Sequence, residues 1–115
     1  MALQRYPGNK RMSAAVAHGD TLYLKGVTPR DTDGEIETQT QDVLDQIDAL
    51  LLDAGSGRDK VVKVMIWITD IRNFERMNSV YDQWIVAGSE PVRACVEARL
   101  ADPKMKVEIQ VEAAL

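Results

Sequence analysis

Cysteine and histidine are almost missing from this chain, with one of each, Cys95 and His18. A lone cysteine excludes an intrachain disulfide framework and fits a reducing cytoplasm. One of each also leaves too few ligands for a structural zinc site and too little for a Ser-His-Asp triad. No apolar run approaches 18 residues and no charged segment leads into an apolar one at the N-terminus, so neither a membrane span nor a secretory signal is expected. Basic charge is also short: 14 Lys and Arg stand against 18 Asp and Glu, a net −4. A phosphate-backbone binder needs a clustered basic face, so nucleic acid is not the expected partner. What remains is an ordinary globular composition over 115 residues, 45% hydrophobic and 28% charged. That is enough for one domain, residues 1–115, around one core.

Apolar periodicity divides the chain. Residues 1–12 have none and read as an extended lead-in around Pro7, Gly8 and Asn9. Ser13–Ala17 and Thr21–Val27 flank His18-Gly19-Asp20, which is turn chemistry, so they form a hairpin. After a polar loop at Pro29–Gly34, the steps from Ile36 become three and four residues. Ile36, Thr40, Val43, Leu44, Ile47, Leu50, Leu51 and Ala54 form one stripe, with Gln39, Gln41, Asp42, Asp45 and Asp48 mostly on the solvated side. This is an amphipathic helix of about five turns, with Gly55 placed to end it.

Val61–Thr69 is apolar on both faces except at Lys63, the pattern of a central strand buried on two sides. Asp70 sits where the next helix should be capped. Phe74, Met77, Tyr81, Trp84 and Ile85 form that helix's stripe, and Gly88 follows its end. Two strictly alternating runs close the chain, Val92–Leu100 and Val107–Ala113. The order is ββαβαββ, an α+β mixed sheet with two helices on one face. Two helices cover only one face, so a strand buried on both sides calls for a second subunit over the other.

If Val92, Ala94, Val96 and Ala98 turn toward the helices, as Val107, Ile109 and Val111 do, then Arg93, Cys95 and Glu108 point to the opposite face. Joined by the Ala101–Met105 loop, the two strands run antiparallel. Arg93 and Glu108 each sit near the start of their own strand, so they do not meet within one chain but could meet across a subunit boundary.

Several stretches together resemble the RidA/YjgF-type reactive-intermediate deaminase family. They are Gly26 after a strand, Gln39-Thr40-Gln41, Leu52-Asp53-Ala54-Gly55, Val61-Val62-Lys63, Asp70 with Asn73-Phe74, Met77-Asn78 with Tyr81, Pro91-Val92-Arg93-Ala94-Cys95-Val96, and Lys106-Val107-Glu108-Ile109. Arg-Ala-Cys-Val-Glu-Ala-Arg-Leu is similar to a shorter, less characterised branch of that family. The resemblance implies a chorismate-mutase-like fold and a homotrimer with clefts between subunits. It also implies hydrolysis of enamine and imine intermediates such as 2-aminoacrylate to 2-oxo acids and ammonia, with no cofactor and no metal. Carried over, Arg93 binds the substrate carboxylate, Glu108 orients or activates water, and Cys95 contributes its backbone carbonyl rather than its thiol. Gly26 allows close approach and Asn78 lines the cleft.

The chain departs from that pattern at the cleft wall. Met12 stands where the family's tyrosine is expected, with Tyr6 out of register, Lys25 replaces a serine, and Val27 replaces a glutamine. These changes keep alive a non-catalytic trimer that binds small carboxylates or partner proteins. The ribonuclease or translation-inhibitor activity sometimes attached to the family is opposed by the acidic charge balance.

Overall fold

The computed structural model describes residues 2–115. Six strands form one sheet: β1 (Leu3–Tyr6), β2 (Ala15–His18), β3 (Thr21–Leu24), β4 (Val61–Ile68), β5 (Val92–Glu97) and β6 (Val107–Ala114). Helix α1 spans Ile36–Asp53 and α2 spans Phe74–Trp84. Across the sheet the order is β1-β2-β3-β6-β4-β5, with only the β4–β5 pair parallel. The hairpin, both helices and the three later strands stand where the periodicity puts them. The lead-in does more than expected, because Leu3–Tyr6 pairs with β2 as an added edge strand. Four residues paired on one side only carry too little alternation to show.

Helix α1 ends at Gly55, whose φ of +81° suits a residue without Cβ. Ser56 N–H donates to the Leu51 carbonyl and Gly55 N–H to that of Leu52, so two end-of-helix carbonyls are satisfied. Asp70 caps a short 3-10 turn, Ile71–Asn73, that leads into α2, and accepts from Arg72 N–H at 3.0 Å.

Three side chains of α1 assigned to solvent hold the fold instead. Gln39 is fully buried. Its amide donates to the carbonyls of Thr32, Gly34 and Lys104, and its Oε1 accepts from Lys106 N–H at 2.7 Å. Its polar identity reads as a solvated face, but here it ties two loops to the start of β6. Asp42 accepts from the backbone N–H groups of Arg30 and Asp31 and from the Arg30 guanidinium. Burial pushes the Asp42 carboxyl up, and those bonds more than reverse it, leaving the group below the ordinary carboxylate range. Asp48 accepts from Trp84 Nε1 at 2.8 Å and so joins the two helices. Replacing Gln39 with leucine should cost about 3 kcal/mol, because several buried backbone groups lose their partner. Urea unfolding should show that loss as a lower midpoint at unchanged slope.

The faces of the sheet require one correction. Val64, Ile66 and Ile68 of β4 are buried under the helices, and Arg93, Cys95 and Glu97 stand directly opposite them on β5. Directly opposed residues share a face. Arg93 and Cys95 therefore lie on the helix side. Val92, Ala94 and Val96 lie on the open side, with Val92 at 68% and Val96 at 42% exposure. The expectation fails because β5 is an edge strand at the margin of the helical layer, where apolar alternation does not report the core. For β6 it holds: Val107, Ile109, Val111 and Ala113 are buried, and Glu108 points to the open side. The two strands do run antiparallel, with β4 between them.

The open face of β4 is also less covered than its apolar sequence suggests. Met65 and Trp67 are half-buried, Val62 is exposed at a register shift, and Lys63 pairs with Glu112 at 3.6 Å.

Candidate functional site

Arg93 is held by α2. Phe74, Asn78 and Tyr81 recur at helical spacing and so present one face to β5. Arg93 Nη1 donates to Asn78 Oδ1 at 2.7 Å. Its guanidinium carbon lies 4.7 Å from the Tyr81 ring centre and 5.5 Å from that of Phe74. One amide and two aromatic faces orient the fork, and no carboxylate pairs with it among the described residues. A guanidinium so placed keeps donors for a planar anion. It opens on a cleft of about 450 Å³ lined also by Asp82, Ile85, Ala87, Glu90 and Pro91. Phe74 and Tyr81 read as core from their spacing. Their second use, flanking Arg93, has no signal beyond sharing the Asn78 face.

Cys95 lies on the same face as Arg93 and packs against the core. Burial pushes its thiol up, and the nearby Arg93 only partly opposes this. The thiol stays protonated near neutrality and is a poor nucleophile. Its backbone is better placed. Ala98 N–H donates to the Ile68 carbonyl of β4, so by alternation the N–H and C=O groups of Arg93, Cys95 and Glu97 face the free edge.

Glu108 belongs to a different place. It shares the open face with Met65, Trp67, Gln110 and Glu112. A two-bond bridge, Val27 N–H to the Ile109 carbonyl at 2.8 Å and Ile109 N–H to the Val27 carbonyl at 3.0 Å, clamps Gly26 beside it. A Cβ at Gly26 would overlap Glu108 Oε2. Gly26 lines a second cleft, of about 320 Å³, with Met12, Val16, Tyr23, Lys25 and Gln110. Met12 is 48% exposed there. Gly26→Ala should therefore displace the mobile Glu108 carboxylate rather than break the backbone. Unfolding free energy should change by less than about 1 kcal/mol, while any Glu108-dependent activity falls.

Within one chain the clefts stay apart. Arg93 is level with Val64 and Glu108 with Trp67. That offset is roughly 10 Å along β4, with the two side chains on opposite faces of the sheet. The structure brings Arg93, Asn78 and Cys95 together on one side, and on the other it sets Glu108 beside Gly26, with Met12 lining the cleft that Gly26 borders.

Comparison with known proteins gives the family and the fold. Residues 4–115 match the endoribonuclease L-PSP family. The chain belongs to that family, the one that holds the YjgF and Rid proteins. It is 41% identical over 115 residues to the RutC family protein YoaB of Escherichia coli, with both chains fully covered. NMB1025 of Neisseria meningitidis, a YjgF family member, is 40% identical with a TM-score of 0.95 over 99% of this chain and 95% of that one. YyfA of the Rid family, from Yersinia pestis, is 33% identical with a TM-score of 0.89 over 99% and 100% of the two chains. The mixed sheet with two helices is thus the chorismate-mutase-like fold of the L-PSP family. No helix among the described residues is long and apolar enough to cross a membrane.

Proposed function

We propose that this L-PSP family protein hydrolyses reactive imines of small carboxylates, 2-aminoacrylate-like, in clefts between the subunits of a homotrimer. The observation that carries the reading is Arg93: an oriented guanidinium with no carboxylate partner, facing a cleft. Its fork would take the substrate carboxylate. A neighbouring subunit would lay its Gly26–Glu108 cleft over the free edge of β5. The exposed Val92 and Val96 and the unpaired edge backbone of β5 support such a cover.

The chemistry is light. The enamine tautomerises to the imine, and water then adds to the imine carbon. Glu108 takes a proton from that water and passes it to nitrogen. The carbon–nitrogen bond breaks, and the nitrogen leaves as ammonia carrying both water hydrogens. The Cys95 carbonyl at the free edge would help hold the water. Positioning and proton transfer suffice, because imines hydrolyse unaided.

RNA cleavage, named in the family's description, has less support, since net charge is −4. The test is 2-oxo acid release from 2-aminoacrylate generated by a serine or threonine dehydratase, with solution mass measured in parallel. Acceleration by a trimer is expected. No acceleration, or a monomer at the 12.8 kDa chain mass, would refute the proposal.

A further inference from the structure

One polar group in the Arg93 cleft has no account in packing. Tyr81 is 5% exposed and belongs to the core. Its ring lies 6.0 Å from that of Trp84 and beneath the Arg93 guanidinium. Phenylalanine would fill that place and keep the cation–π contact. The Tyr81 hydroxyl has no hydrogen-bond partner among the described residues. A buried hydroxyl left without a partner costs free energy, so such groups are nearly always bonded.

Burial shows where the hydroxyl points. Among the described residues, no side-chain oxygen of a buried residue is both sealed from solvent and unbonded. The Tyr81 hydroxyl is therefore open to solvent, although little of the residue is. Tyr81 lines the cleft that Arg93 faces, and that cleft is the opening. Burial pushes the phenol up, and Arg93 only partly opposes this, so near neutrality the hydroxyl is an uncharged donor.

A carboxylate offers about four lone-pair sites, and a guanidinium fork fills two of them. Arg93 already commits one donor to Asn78. An anion drawn into the cleft is short of donors, and Tyr81 holds a donor short of an acceptor.

We propose that the Tyr81 hydroxyl is a second anion-binding group of this cleft, donating to a carboxylate oxygen of a ligand seated on Arg93. The ring orients the arginine, and the hydroxyl touches the ligand. The carboxylate class rests on the reading of Arg93 given above, but hydrolysis of the ligand is not required.

The experiment compares the intact protein with Tyr81→Phe, which keeps the ring and removes one oxygen. Pyruvate binding is read by NMR titration of the amide resonances, and stability by urea unfolding. The wild type should bind pyruvate about tenfold more tightly than the variant, the low end for a bond to a charged group. The unfolding midpoint should stay level or rise, because the lost hydroxyl has no partner in the fold. In 2-aminoacrylate hydrolysis the same tenfold should appear in KM, with kcat unchanged. Equal pyruvate affinity in the two proteins, or no pyruvate binding by the wild type, overturns the inference. So does weaker binding in a variant whose unfolding midpoint falls. Tenfold weaker binding at an unchanged midpoint, with no hydrolysis by either protein, upholds the inference and defeats the hydrolase reading alone. Hydrolysis by the variant at wild-type KM defeats the inference alone.

Discussion

Arg93→Ala should lower kcat/KM for 2-aminoacrylate hydrolysis by about 100-fold, mostly through KM. A bidentate, charge-assisted bond to a carboxylate contributes about 2–3 kcal/mol, and each 1.4 kcal/mol is tenfold. The carboxylate does not react, so its grip is felt alike in ground and transition states, which places the loss in KM. Arg93→Lys should recover only part, because an ammonium restores charge without the fork that Asn78, Tyr81 and Phe74 hold in place. The fold should tolerate both changes, since Arg93 is exposed and its cation–π contacts with Tyr81 and Phe74 and its bond to Asn78 together contribute about 1–2 kcal/mol. Steady-state kinetics beside urea unfolding checks this. An unchanged KM in a folded Arg93→Ala variant would remove Arg93 from the site.

Glu108→Gln should act differently, lowering kcat by about 100-fold with KM nearly unchanged. Proton transfer by a positioned side chain contributes about 10²–10⁴-fold, and a substrate as reactive as an imine places this at the low end. Glutamine keeps the shape beside Gly26 and removes only the base. Lost substrate binding with intact kcat would reassign Glu108 to the pocket wall. The contrast between the two variants matters more than either size, since it separates a binding residue from a chemical one.

Much of this was legible in the amino-acid sequence wherever burial drives the pattern. Alternation in β6 reports its buried side correctly because the helices cover it completely. The three- and four-residue steps of α1 mark both its extent and its end at Gly55. Alternation in β5 misleads because this edge strand carries its apolar residues on the uncovered side, and the sequence does not say which strand lies at the edge. Gln39 was not legible for a related reason. A buried amide with every hydrogen bond satisfied looks, in a string of residues, like a solvated one. The separation of Arg93 from Glu108 was legible. That they occupy opposite faces needed the register across β4. The placement of Arg93 on the helix side leaves an intersubunit site possible, because the free edge of β5 borders both faces.

In the proposed trimer one site draws Arg93 from one subunit and Glu108 from the next. Mixed trimers test it most directly. Arg93→Ala and Glu108→Ala proteins, each nearly inactive at substrate well below KM, are unfolded together at equal amounts and refolded, assayed at that substrate level, with native mass spectrometry confirming mixed species. Random assembly should rebuild an intact site at about one cleft in four, returning roughly a quarter of wild-type activity. Mixed trimers that stay inactive would contradict the shared site.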